Sequence, residues 1–380
     1  MIESLFVYTA LYAIMALCGG QIAKRSKKYE GWSGEYSNGG KFLSTEMTIL
    51  CLSFALVFGC RWGVGRDYFR YLYAYLDYMP ERFEFMFQTI SSFLQSINAH
   101  YAVYFGIWAL FDVVLLYYSV KEYKFLYPYI AFFLIFGFYF LPMMNAIRQL
   151  IAAGFFMVSI KYIDQKKIIK FSICYIIAIL FHHLAIILFI FYPLLQLKDD
   201  WFKSVNFQLI IFALAVIISI FADNLIHWIE EPYLWLTNRL GYSRYTLDVL
   251  DTDRFNRANF GRGTGLGIWI NIFKTVPIIL MSKGLKSFYK SSYFNMVYTL
   301  YFLGVLLSLL LGDSVVLNRI TYFFTTFQII IYSFVVYYCF YRKTQLLYLF
   351  GIFLILIHIP LLLNVISNPN STAPFLFFWQ

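Results

Sequence analysis

Four stretches of this chain, 127–140, 171–197, 209–221 and 344–363, contain no Lys, Arg, Asp or Glu. A helix on the surface of a water-soluble domain needs a polar face, and these runs have none. A run of roughly 20 apolar residues matches the hydrocarbon core of a bilayer. Within lipid only helices satisfy their own backbone, apart from closed barrels, and no alternating strand pattern is present. Charged residues make up only 13% of the 380 residues, against roughly a quarter in soluble domains. The expected fold class is therefore all-α, a polytopic transmembrane helical bundle forming a single membrane-embedded domain over 1–380.

Lysine and arginine are unevenly distributed. Lys24, Lys27, Lys28 and Lys41, then Lys121 and Lys124, then Lys161, Lys166, Lys167 and Lys170, sit in short loops between apolar runs. Most arginines lie elsewhere, at Arg61, Arg66, Arg70, Arg82, Arg148, Arg254 and Arg319 among others. The positive-inside rule places the lysine loops in the cytoplasm. Spans are then expected at about 2–19, 45–60, 101–119, 126–142, 148–163, 167–182, 184–197, 206–222, 265–282, 293–311, 318–340 and 345–363, about twelve in all. Two segments are expected outside: 61–100, holding a short interfacial helix at 83–97, and the large loop 223–265. The formal charge of +10 is accounted for by loops facing anionic lipid, so no nucleic-acid partner is expected. The five cysteines show no metal-ligand spacing and read as small packing residues.

Several polar groups could carry chemistry. Arg61-Trp62-Gly63-Val64-Gly65-Arg66-Asp67-Tyr68-Phe69-Arg70-Tyr71 follows a span end, and its glycines allow close backbone approach to a ligand. Asn145-Ala146-Ile147-Arg148-Gln149 opens a span, where a guanidinium adds to the exposed amides of a helix start and suits an anion. Asn318-Arg319-Ile320-Thr321-Tyr322 repeats that arrangement. Arginines at such places also serve as plain interface anchors. His182-His183 divides a stretch too long for one span. Histidine can act as a general base, or can simply be hydrogen-bonded inside a bundle. Asp251-Thr252-Asp253 is a weak metal motif, and neither a metal site nor a cofactor is expected.

The ordered set Arg61…Gly65-Arg66-Asp67-Tyr68…Tyr71, Asn145-X-X-Arg148-Gln149-X-X-Ala152, Phe181-His182-X-X-Ala185, Arg319-X-X-Tyr322 and the aromatic, Pro-containing tail resembles the Wzy-type polysaccharide polymerases, in particular the EpsG-like branch. The resemblance implies a GT-C-like membrane glycosyltransferase of the bacterial inner membrane. Such a protein joins polyprenyl-diphosphate-linked (undecaprenyl diphosphate) oligosaccharide repeat units on the outer face. For that chemistry the candidate catalytic residues are His182 as the base, with Asp67 second, and Arg148 as a cation facing the diphosphate. Arg61, Arg66, Tyr68, Tyr71, Asn145, Gln149, Arg319 and Tyr322 would bind substrate. Implied partners are the lipid-linked oligosaccharides, membrane lipid and a chain-length regulator protein. A lipid-linked oligosaccharide flippase or transporter, and an O-antigen ligase, are the alternatives that the residues leave open.

Overall fold

The computed structural model describes residues 1–26, 41–77, 83–196, 201–220, 266–311, 317–368 and 371–379, with Pro232, Leu234, Trp235, Asn238 and Arg239. Lys27, Lys28, Arg82, Arg254, Asp251 and Asp253, and nearly all of the 223–265 loop, lie outside the described residues. The chain divides into two compact units, residues 1–192 with 329–380, and residues 193–328.

The helices are α1 (Ile2–Arg25), α2 (Thr45–Gly59), α3 (Tyr68–Tyr75), α4 (Phe85–Ser96), α5 (Tyr101–Ser119), α6 (Tyr127–Phe136), α7 (Phe140–Asn145), α8 (Ile147–Asp164), α9 (Ile168–Phe181), α10 (Phe191–Gln196), α11 (Val205–Ile220), α12 (Leu266–Tyr289), α13 (Ser292–Leu311), α14 (Asn318–Arg342), α15 (Gln345–Leu356) and α16 (His358–Ser367). A 3-10 segment, His183–Ile190, follows α9. Two short strands, β1 (Arg61–Trp62) and β2 (Leu376–Phe377), pair antiparallel, Arg61 opposite Phe377 and Trp62 opposite Leu376.

Six helical stretches among the described residues are long and apolar enough to cross a membrane: Ile2–Arg25, Tyr101–Ser119, Leu266–Tyr289, Ser292–Leu311, Arg319–Arg342 and Gln345–Ser367. Five further apolar helices are shorter, among them Thr45–Gly59 and Ile168–Phe181. The molecule is thus a helical, multi-pass membrane protein. The expectation of about twelve spans counts these shorter helices as crossings, and their length alone does not make them so. The surface agrees with lipid as the surrounding solvent. Leu17, Leu52, Leu56, Ile173 and Ile176 are exposed, while Arg61, Asp112, Arg148 and His182 are buried. Polar groups face inward when the outside is hydrocarbon.

Local chemistry sets the helix ends. Ser44 caps α2, its hydroxyl accepting from the Met47 amide at 3.2 Å, which satisfies one of the orphan donors of a helix start. The His100 Nδ1 does the same for α5, accepting from the Ala102 amide at 3.2 Å. Pro128 sits in the first turn of α6, where its missing N–H costs nothing.

In the first unit α2 and α5 run antiparallel and touch at small residues. A methyl group at Gly59 would lie 2.6 Å from the Ala102 carbonyl oxygen, and one at Gly106 would lie 3.3 Å from that of Ala55. Ala55-X-X-X-Gly59 and Ala102-X-X-X-Gly106 are therefore facing small-residue stripes, the device by which membrane helices approach closely without a hydrophobic driving force. The C-terminus of α2 and the N-terminus of α5 share one end of the unit, so segment 61–100 leaves and returns at that end. Within it α4 has 12 residues, about 18 Å at 1.5 Å per residue, too short to cross.

Helices α8 and α9 form a hairpin through the short basic loop Gln165–Lys167. The lysine-rich end of the unit gathers Lys24, Lys121, Lys124, Lys161, Lys166, Lys167 and Lys343, together with Arg25 and Arg342. There Arg25 pairs with Glu46 at 2.5 Å, and the Lys161 ammonium sits 4.2 Å from the centre of the Tyr118 ring. The opposite end holds Arg61, Arg66, Arg70 and Arg148. In this unit the separation of Lys from Arg is thus real but incomplete.

Candidate active site

At the arginine end the chain after α2 turns sharply. Arg61 is 0% exposed. Its Nη1 donates to the Phe58 carbonyl at 2.6 Å and its Nε to the Val64 carbonyl at 3.1 Å. The last carbonyls of a helix lack intrahelical donors, and the guanidinium supplies one while closing the loop over itself. It lies 4.5 Å from the centre of the Phe105 ring and 5.5 Å from that of Tyr68. The sequence suggests a substrate fork at Arg61; the fold turns that fork inward onto its own backbone.

Gly65 adopts φ +101°, and a methyl group there would be 2.7 Å from the Met144 carbonyl oxygen. Only glycine combines that conformation with that approach. Its amide donates to the Thr372 carbonyl at 3.0 Å, so the loop is held by α7 on one side and by the C-terminal tail on the other. Asn145 Oδ1 accepts from the Asp67 amide at 3.0 Å. The tail is tied in turn to the chain's start: the Tyr8 hydroxyl donates to the Ala373 carbonyl at 2.6 Å, and the Phe375 amide donates to Ser4 Oγ at 2.9 Å. Arg66 projects to the surface and Asp67 is half-buried. The Asp67 carboxylate does not cap α3. Tyr68 is fully buried, its ring stacked on Phe105 at 4.6 Å. A face expected to meet a sugar is thus covered by protein.

One turn along α3, Tyr71 meets Arg148. Arg148 Nε donates to the Tyr71 hydroxyl at 3.5 Å, and Arg148 Nη1 is ion-paired with Glu84 Oε2. Glu84 immediately precedes α4 and is 5% exposed; Arg148 is 9% exposed. The guanidinium also lies 4.8 Å from the centre of the Phe83 ring and 5.9 Å from that of Phe87. A planar cation is thus clamped by a carboxylate, a phenol and two aromatic faces at the start of α8, where helix amides add positive potential. Gln149, next along the helix, is 1% exposed.

His182 ends α9 and is 3% exposed; the Ala185 amide donates to its carbonyl at 2.9 Å. Along the hairpin Arg148 stands 16 residues from Asp164, and His182 stands 14 residues from Ile168. Those runs are about 24 Å and 21 Å at 1.5 Å per residue, so the two residues stand at the same end of the hairpin. Arg319 and Tyr322, both half-buried, start α14 in the second unit.

Glu84 and Asp112 are absent from the sequence-derived set. Glu84 carried a weak signal, an acid directly ahead of a short apolar helix. Asp112 carried a stronger one, a lone acid in the middle of a span, which is a functional candidate by default. Asp112 is 3% exposed, and neither of its oxygens has a hydrogen-bond partner among the described residues.

Comparison with curated proteins and with solved structures finds no match. The sequence profile of the EpsG family matches residues 45–377, a span that takes in the Gly65 loop, Glu84, Arg148, His182 and the paired tail strand. The chain belongs to the EpsG family.

Proposed function

We propose that this protein is a membrane glycosyltransferase that polymerises polyprenyl-diphosphate-linked oligosaccharide repeat units into surface polysaccharide. Membership of the EpsG family supports a polysaccharide polymerase-type function. The observation that carries the specific reading is the caged guanidinium of Arg148 at a helix start, at the same end of the α8–α9 hairpin as His182. In the reaction a hydroxyl of the incoming unit attacks the anomeric carbon of the growing chain. The bond from that carbon to the diphosphate oxygen breaks, and the diphosphate departs with the electron pair. Negative charge grows on the leaving group as the bond lengthens, so a fixed cation there stabilises the transition state more than the ground state. Arg148 is that cation, and Glu84 and Tyr71 hold its plane. Arginine stays protonated and cannot take the acceptor's proton. His182 takes it, with Asp67 as the second choice. Arg61 and Tyr68 hold the loop that carries Asp67.

The lysine-rich end faces the cytoplasm by the positive-inside rule, so the Arg148 end faces the outside of the bacterial plasma membrane. Deleting the gene and complementing it with Arg148→Ala is the test. Loss of the glycan ladder on gels, with single repeat units still reaching the surface, is the expected result. A flippase defect would remove the single units as well, and a normal ladder would sink the polymerase reading.

A further inference from the structure

A cleft of about 540 Å³ opens where α3 and α4 end, lined by Tyr75, Leu76, Asp77, Gln95, Asn98 and Ala99. That volume falls in the range of small-ligand sites. Its walls are tied together: the Tyr75 hydroxyl donates to the Ala99 carbonyl at 2.7 Å, and Gln95 Nε2 donates to the Tyr75 carbonyl at 2.7 Å. The cleft is therefore formed before anything enters it, which lowers the ordering cost of binding. Asp77 and Asn98 both take left-handed backbone conformations, φ +63° and +50°. Short polar side chains tolerate that region, and here it sets both at the rim.

The lining identifies the chemistry. A carboxylate and two amides offer planar acceptors and donors, the groups that bracket neighbouring hydroxyls on a sugar ring. The Asp77 carboxylate would repel a phosphate, so the cleft suits the saccharide part of a lipid-linked substrate and not its head group. Position agrees, because Tyr75 lies one helical turn beyond Tyr71, whose hydroxyl meets Arg148. We propose that this cleft is a saccharide subsite that holds a sugar of the repeat unit while the diphosphate lies at Arg148. The proposal rests on the polymerase reading.

The test uses the full chain in detergent, with the repeat-unit oligosaccharide of the surface glycan, freed from its lipid by mild acid, as the probe. Saturation-transfer NMR should show contact with the sugar protons for the wild-type protein. Asp77→Asn keeps a residue that tolerates the backbone conformation, and should weaken binding about tenfold. Ala99→Trp fills the cleft and should abolish binding, with thermal unfolding checking that both variants fold. Arg148→Ala should still bind the free oligosaccharide. No binding by the wild-type protein, or wild-type binding by both cleft variants, overturns the subsite. If polymer vanishes in Arg148→Ala while both cleft variants bind normally, the subsite falls and the polymerase reading stands. Cleft-dependent binding alongside normal polymer in Arg148→Ala leaves the subsite and sinks the polymerase.

Discussion

Arg148, in the first turn of α8, is ion-paired with Glu84 just ahead of α4, 64 residues earlier in the chain. Both groups are almost fully buried. Such a pair joins the segment between α2 and α5 to the rest of the first unit and fixes the direction of the guanidinium.

Removing one partner of a buried pair strands the other charge, at a cost of about 3–5 kcal/mol. Glu84→Ala should therefore lower the unfolding temperature in detergent sharply. The double variant Glu84→Ala/Arg148→Met should recover part of that loss. Equal losses in the single and double variants would mean that the pair contributes little.

Arg148→Lys keeps the charge and loses the planar fork. Polymer should fall to short chains on glycan gels, with a smaller stability loss than Glu84→Ala. Arg61→Lys should show the reverse balance, because the Arg61 guanidinium closes a backbone loop. Its unfolding temperature should drop first, and polymer should be lost in proportion to the folded protein that remains.

His182→Ala should abolish long-chain glycan, while single repeat units continue to appear. General-base removal typically costs a factor of about 10²–10⁴ in rate. Unchanged chain length would remove His182 from the reaction.

Gly65→Ala and Gly63→Ala separate strain from contact. Gly63 has φ +69°, and the nearest atom to an added methyl is 3.7 Å away. Its substitution should cost about 1 kcal/mol through backbone strain alone. Gly65→Ala meets the Met144 carbonyl oxygen at 2.7 Å as well, and should destabilise by at least twice as much. Thermal unfolding of the two variants measures the difference, and equal shifts would contradict the close approach of the loop to α7.

Cysteine labelling in intact cells tests orientation. Arg66 and Lys166 are both exposed and lie at opposite ends of the first unit. Cysteine at 66 should react with an impermeant thiol reagent and cysteine at 166 should not, with the wild-type protein as background for its five native thiols. The opposite pattern would invert the proposed topology.

The helical membrane class and the family were readable from the amino acids. Each depends on quantities that are local along the chain: apolar length and the order of short motifs. The direction of each polar side chain was not readable. Arg61 and Arg148 look alike in sequence, each standing at the end of an apolar span. The close crossing of α2 and α5 at Gly59 and Ala102 buries the first against Phe105 and the carbonyls of its own loop. The packing of α4 against α9 brings Glu84, just ahead of α4, to the second. Hydrophobicity acts residue by residue and survives in composition, whereas the partner of a buried charge is chosen by which remote backbone arrives within about 3 Å, and only the packed helices decide that.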